Sequence, residues 1–398
     1  MAGRSGALQM WVADMELPCF PEMQSAIESR AQHATFGYTI QPGVVWEGVR
    51  QWLAVRQGYG AAEVPPAAAF VFSASVVTSF SCVLRGLTRE GDGVLVMTPL
   101  YAPLQRTVIG TGRRLVDLRL GDVGSSVKFG LGDGFPGSIN ALTSQLAARL
   151  DEDGGVRVML LCSPHNPSGR VWRRHELVAI AEVCAARKVL VVADEIWADW
   201  VLDKDLVPFT PFAPVAAAAG CAHIILGAPT KTFSLAGLHA SYLIVPDSDL
   251  RKQYLAYVEP AFLTFGSIFA TVALSTCYVD SPSAAARWLE GARAHVAGNV
   301  RRLRELLEQH ACGRVVALPL EATHLVWLDC SSALKALRIE PAELTTRLLD
   351  AGLVLSPGSE FEGPSGGAAH FQRINVACPR KMVEEAARRL CQVVAFPK

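Results

Sequence analysis

Between about residue 70 and residue 245, short apolar runs alternate with amphipathic stretches. This rhythm narrows the possible folds more than any other feature of the chain. FVFSA, GVLVM, RRLVDL, VRVMLLC, KVLVVADE, HIILGA and SYLIV read as buried strands. Helical patterns lie between several of them, such as HELVAIAEVCAARK at 175–188. Strand–helix–strand repetition predicts an α/β fold, with a mainly parallel seven-stranded sheet sandwiched by helices. Such sheets place ligands beyond the C-terminal ends of their strands, and here polar, chemically versatile residues follow those ends.

After about residue 280 the texture changes. The helical stretch SAAARWLEGARAHVAGNVRRLRELLEQH leads into THLVWLDC, PAELTTRLLDAG, LVLSPG and FQRINVACP, which reads as a smaller α+β domain. The loop from Ser356 to His370 is rich in Gly and Pro. Pro260–Val279 carries no charge, but Pro260, Gly266 and Ser267 interrupt it. It is expected to be a core or subunit-interface helix rather than a membrane span.

Of the 398 residues 51% are apolar, enough for a large core and a second domain. Basic and acidic residues balance at 37 each, so no charged field invites nucleic acid and a small-molecule substrate is expected. The ten cysteines are scattered without a C-x-x-C pair. That argues against a structural zinc site, so no metal is expected, and it suits thiols in a reducing cytoplasm. The N-terminal stretch has no unbroken apolar core of a signal peptide.

The strand ends carry a set of side chains that pyridoxal 5′-phosphate (PLP) chemistry requires. A lysine must condense with the aldehyde, and an acid must keep the pyridine nitrogen protonated. A donor must steady the ring 3′-oxygen, hydroxyl and backbone donors must hold the phosphate, and an arginine fork suits a substrate carboxylate. LLCSPHNPSG offers Asn166, VLVVADE offers Asp194, IILGAPTKTFSLAGL offers Lys231 and FQRINVACPR offers Arg373. Each has a plain structural reading when taken alone. Asp194 could cap a helix, Asn166 could form a turn, Lys231 could be solvated, Tyr101 could be core, Arg373 could pair with a structural carboxylate and Tyr38 could close a loop. Their joint occurrence in order, at strand ends, favours the chemical reading.

WVADMELP, FGYT, TPLYAP, CSPHNPSGRVW, VVADEIWAD, APTKTFSLAGL and FQRINVACPR together span residues 11–380. With these motifs the chain resembles the fold-type I PLP enzymes, and within them the cystathionine β-lyase-like carbon–sulfur β-lyases. The resemblance implies three segments. Residues 1–40 serve the small domain and dimer contacts, 41–280 form the large PLP-binding domain, and 281–398 form the small domain. It also implies roles. Lys231 carries the cofactor as a Schiff base and acts as base and acid at Cα. Asp194 pairs with the pyridine nitrogen, Asn166 with the 3′-oxygen, and Tyr101 and Ile196 cover the two ring faces. Ser75, Val76 and Val77 bind phosphate, with Thr230 and His239 nearby, while Trp197 lies beside the ring. Tyr38 reaches the phosphate of the neighbouring subunit in a homodimer. Arg373 binds the α-carboxylate, with Asp14 and Tyr101 on the substrate side.

The chain departs from the family at several points. The phosphate loop reads Ser73-Ala74-Ser75-Val76-Val77, so a glycine is lost and a hydroxyl gained. Trp197 stands where relatives carry His or Tyr, and an indole donates but shuttles no proton. The segment before WVADM is about thirty residues shorter than in close relatives, which implies a more open pocket. The resemblance favours β-elimination from cystathionine or a cysteine S-conjugate in specialised metabolism. The alternatives are an aminotransferase, or decarboxylating or oxidative chemistry on such a conjugate. No feature marks a regulator-binding patch or a helix-turn-helix.

Overall fold

The computed structural model describes residues 6–120, 139–203, 205 and 207–395. Seven apolar runs form one sheet. Its spatial order is Phe70–Ser73, Ser241–Ile244, His223–Gly227, Leu190–Asp194, Val156–Cys162, Gly93–Thr98 and Arg114–Arg119. Ser241–Ile244 runs antiparallel to both of its neighbours, and the other pairings are parallel. The mainly parallel seven-stranded sheet expected from the sequence is therefore present.

Successive residues of a strand face opposite sides of the sheet, so a strand buried on both faces must be apolar throughout. Leu190 and Val192 enter one core, and Val191 and Ala193 enter the other. The first core is closed by helices Val76–Leu87, Ala102–Gly110 and Ser248–Val258 through Phe80, Leu104 and Tyr254. Helices Ile139–Asp153, Arg174–Ala186 and Phe212–Ala218 close the second through Leu146, Ile180 and Phe212.

Helix Pro282–His310 starts on a proline, which suits the first helical turn because its missing N–H has no partner there. It leads to an antiparallel sheet ordered Ser356–Pro357, Phe371–Asn375, Leu325–Asp329 and Val316–Ala317. Helix Arg380–Val394 packs back on Pro282–His310. At the other end of the chain, Leu8–Gln9 pairs in parallel with Leu353–Val354. Helix Pro21–Gln32 instead lies against helix Ile268–Ser275. The apolar stretch from Pro260 holds only that helix and one wider turn, Thr276–Asp280. Among the described residues no helix is long and apolar enough to cross a membrane.

Polar contacts join the two halves of the chain beside the cleft. Gln105 donates to the carbonyls of Leu100 and Phe361, and the Leu100 amide donates to Phe361 as well. The buried Glu321 carboxylate accepts from the Val171 amide at 2.7 Å and from both Arg173 Nη atoms at 2.6 and 3.0 Å. Removing one partner of such a pair strands the other. Glu321→Gln should cost about 2 kcal/mol, discounted because Arg173 is partly solvated. A lowered midpoint in urea unfolding reads this out, and an unchanged midpoint contradicts it.

Candidate active site

After Gly93–Thr98 the chain moves to one side, to Arg114–Arg119, and then returns to Val156–Cys162 on the other. This reversal opens a crevice at the C-terminal strand ends. The cleft there measures about 900 Å³, including the part open to solvent. Ser75, Val76, Val77, Tyr101, Asn166, Asp194, Ile196, Trp197, Thr230, Lys231 and His239 all line it. Arg373 reaches the same place from strand Phe371–Asn375, through its contact with Asn166. Tyr38 does not join this group; the residue is 97% exposed, with its ring centre 6.4 Å from that of Phe265.

Asp194 ends its strand with the carboxylate buried, 4% exposed, and accepts from the Ile196 amide at 3.2 Å. Burial raises it to about 6, a shift held back by that amide and by the Lys231 charge. A buried carboxylate with so little protein counter-charge suits a cationic ring nitrogen. Lys231 lies on the short turn Pro229–Thr232. Its Nζ donates to the Ala13 carbonyl at 2.8 Å and lies 3.5 Å from Asp14 Oδ1. Burial lowers its pKa, Asp14 opposes the shift and Arg373 adds to it. Trp200 Nε1 donates to the Lys231 carbonyl at 2.6 Å and fixes its backbone.

Arg373 is 4% exposed and has no ion-pair partner among the described residues. Its Nη1 donates to Asn166 Oδ1 at 2.9 Å, and its Nη2 donates to the Trp11 carbonyl at 2.7 Å and the Ser356 hydroxyl at 3.2 Å. The guanidinium lies over Phe361 at 4.7 Å, and Nε has no partner. Burial brings its pKa down to about 10, partly offset by Tyr101 and Glu360. A buried guanidinium held only by dipoles and a ring face is a receptor for an anion, and its fork matches a carboxylate.

Ser75 takes a role that spacing alone does not show. Its Oγ accepts from the Thr78 amide at 3.1 Å and lies 2.9 Å from Thr78 Oγ1, so it caps helix Val76–Leu87. The positive end of that twelve-residue helix still faces the cleft. Tyr101 and Ile196 are both half-buried in the cleft wall. His239 takes a left-handed backbone, φ 51°.

Trp197 is buried, and its ring centre lies 4.9 Å from that of His324 in an edge-on contact. His324 was not singled out by its sequence. Nor was Asn375, although FQRINVACPR contains it, whereas Trp200 stands out as an added tryptophan in DEIWADWV.

The chain matches the family model for aminotransferase class I and II over residues 47–390. The chain belongs to this family. It is 31% identical to cystathionine beta-lyase PatB of Bacillus subtilis over 98% of this chain and 92% of the relative. A PLP-bound putative aminotransferase from Clostridium difficile matches with a TM-score of 0.85 and 27% identity, covering 99% of this chain and 94% of that one. Cystalysin from Treponema denticola, which contains PLP, shares the fold at a TM-score of 0.84 and 24% identity over 98% of this chain and 92% of its own. The family is PLP-dependent, and the residues of the cleft fit that group. There is a buried acid for the ring nitrogen, an amine, a helix start for the phosphate and a tyrosine beside the ring space.

In the cofactor-free protein the Asp194 pKa lies above its value of 3.8 in an open chain. The folded state therefore holds the extra proton, and stability falls as pH rises from 3.8 towards 6. Asp194→Asn removes this dependence. Its thermal midpoint should pull ahead of the parent's across that window and level off above it, by roughly 3 kcal/mol in stability. Parallel melting curves at every pH would contradict this assignment.

Proposed function

We propose that the protein is a PLP-dependent carbon–sulfur β-lyase that cleaves cystathionine or another cysteine S-conjugate to a thiol, pyruvate and ammonia. Identity of 31% with cystathionine beta-lyase PatB, along 98% of the chain, carries the reaction type. The unpaired buried Arg373 supports an α-amino-acid substrate.

When bound, PLP supplies an electron sink that allows the Cα–H bond of an amino acid to break. The other roles fall to the protein. Arg373 binds the α-carboxylate through its fork and orients Cα towards Lys231. Lys231, its basicity tuned by burial and by Asp14, takes the Cα proton. Asp194 holds a proton at the ring nitrogen, and the Asn166 amide nitrogen faces the 3′-oxygen. Ser75, Val76 and Val77 hold the phosphate with Thr230 and His239, and Tyr101 and Ile196 cover the ring faces. Trp197 cannot exchange protons, so it gives Lys231 no help in moving the Cα proton. The Cβ–S bond then breaks with its electron pair going to sulfur, Lys231 returns the proton to the departing thiolate, and water hydrolyses the released enamine to pyruvate and ammonia.

Tyr38, Phe36, Ile40, Phe262, Leu263 and Phe265 form an exposed apolar group on one face. We assign it to a homodimer in which Tyr38 reaches the phosphate of the second subunit's site. Residues 41–280 act as the cofactor domain and 281–398 as the small domain, with 1–40 shared between the small domain and the dimer. All ten cysteines are unpaired, which supports a cytoplasmic location.

The test supplies cystathionine and S-alkyl cysteines with and without a keto acid. Pyruvate released without a keto acid supports the lyase. Strict dependence on the keto acid points to an aminotransferase, and carbon dioxide or an aldehyde to the decarboxylating or oxidative alternative. Lys231→Ala should abolish turnover. Arg373→Ala should raise KM by about a hundredfold, equivalent to about 2.7 kcal/mol. A KM unchanged in Arg373→Ala would contradict its role.

A further inference from the structure

The stretch from Met10 to Asp14 runs between the small domain and Lys231, and its carbonyls are divided between them. The Met10 carbonyl accepts from the Asn375 amide at 2.9 Å. The Trp11 carbonyl accepts from Arg373 and Ser356. The Val12 and Asp14 carbonyls both accept from Asn375 Nδ2, the first at 2.7 Å. The carbonyl between those two, Ala13, turns to Lys231 Nζ. The residues on either side of Ala13 are thus gripped by one side-chain nitrogen, and the carbonyl left over is the one that meets the amine.

Asn375 is itself fully committed. Its Oδ1 accepts from the Ala377 amide at 2.9 Å and lies 2.9 Å from His324 Nδ1. With Nδ2 facing two carbonyls the amide cannot be flipped, so Oδ1 is an acceptor and His324 Nδ1 must carry the proton. His324 is fully buried, its Nε2 has no partner among the described residues, and burial lowers its pKa to about 3. A neutral imidazole therefore holds the asparagine in place without adding charge near Lys231. The same ring braces Trp197 and Trp200, whose indole fixes the Lys231 carbonyl.

We propose that Asn375, oriented by His324, is a positioning residue for Lys231, presenting the Ala13 carbonyl as the dock of the lysine amine whenever that amine is not bonded to cofactor. The inference rests on Lys231 being the point of cofactor attachment. The Ala13 carbonyl fixes where the amine rests, while burial favours its neutral, nucleophilic form against the opposing pull of Asp14 3.5 Å away.

The test uses full-length protein stripped of cofactor. Capture of PLP is followed by the rise of visible absorbance. In parallel, the affinity is measured for pyridoxine 5′-phosphate, which fills the same site but has no aldehyde for the amine to attack. Asn375→Ala should slow capture by about tenfold or more, since small displacements of a reacting group carry costs of this order, while binding of the alcohol changes less than about twofold. Asn375→Asp, close in shape but without the amide donors, should show the same split and serves if the alanine variant does not fold. Equal capture rates in parent and variants overturn the proposal, as does an equal loss for both ligands, which would mark a structural role alone. Failure of the parent to capture PLP would instead defeat the function proposed above.

Discussion

The cleft collects three ionic side chains that the chain removes from water without giving them full counter-charges. Asp194 has one backbone amide as hydrogen-bond donor, Arg373 has dipoles and a phenyl face, and Lys231 has a carbonyl and the solvent-exposed carboxylate of Asp14 at 3.5 Å. Burying such groups costs free energy unless partners are supplied. The protein is thus built around an incomplete electrostatic set, which a ligand with a cationic ring nitrogen and a carboxylate would complete. That incompleteness is a stability cost of the kind active sites carry.

The fold bears this cost by holding each group on a rigid element. Inner parallel strands are hydrogen-bonded to a neighbour on each side, so their ends are fixed points. Asp194 sits on such an end, and Asn166 and Lys231 lie four residues beyond theirs. Arg373 lies within a strand of the other sheet, opposite Trp327 and Ser356. The two halves meet through Arg173–Glu321, through Gln105 and through the Met10–Asp14 strap, which places anion receptor and amine in one cleft.

Much of this was legible in the sequence, for physical reasons. The inner strands of the large sheet stand out as apolar runs because both of their faces are buried, whereas the edge strand Arg114–Arg119 keeps charged residues at its ends and at Asp117. The long helix at 282–310 announced itself by its period. Asn166, Asp194 and Lys231 stand out because parallel sheets present ligands at strand ends, whereas Ser75, Val76, Val77, Tyr101, Ile196, Trp197, Thr230 and His239 come from the family resemblance. The antiparallel Ser241–Ile244 was less visible, since its run of apolar residues has no direction. The short connection after His223–Gly227 carries Lys231 and provides no full crossover helix. Ser75 looked like a phosphate donor, and only the fold shows its oxygen accepting from the Thr78 amide. His324 and Asn375 were hidden because their meaning lies in contacts across 51 residues of chain, and across more than 360 to Val12 and Asp14. Composition and periodicity carry no trace of such pairings.

The central claim is that one amine, Lys231, bonds the cofactor aldehyde while facing Asp194 across the ring. Incubation with PLP, reduction with borohydride and peptide mass analysis test it most directly. The account predicts a single reduced phosphopyridoxyl adduct on Lys231, formed far less readily in Asp194→Ala. An adduct on another lysine, or none, would contradict it.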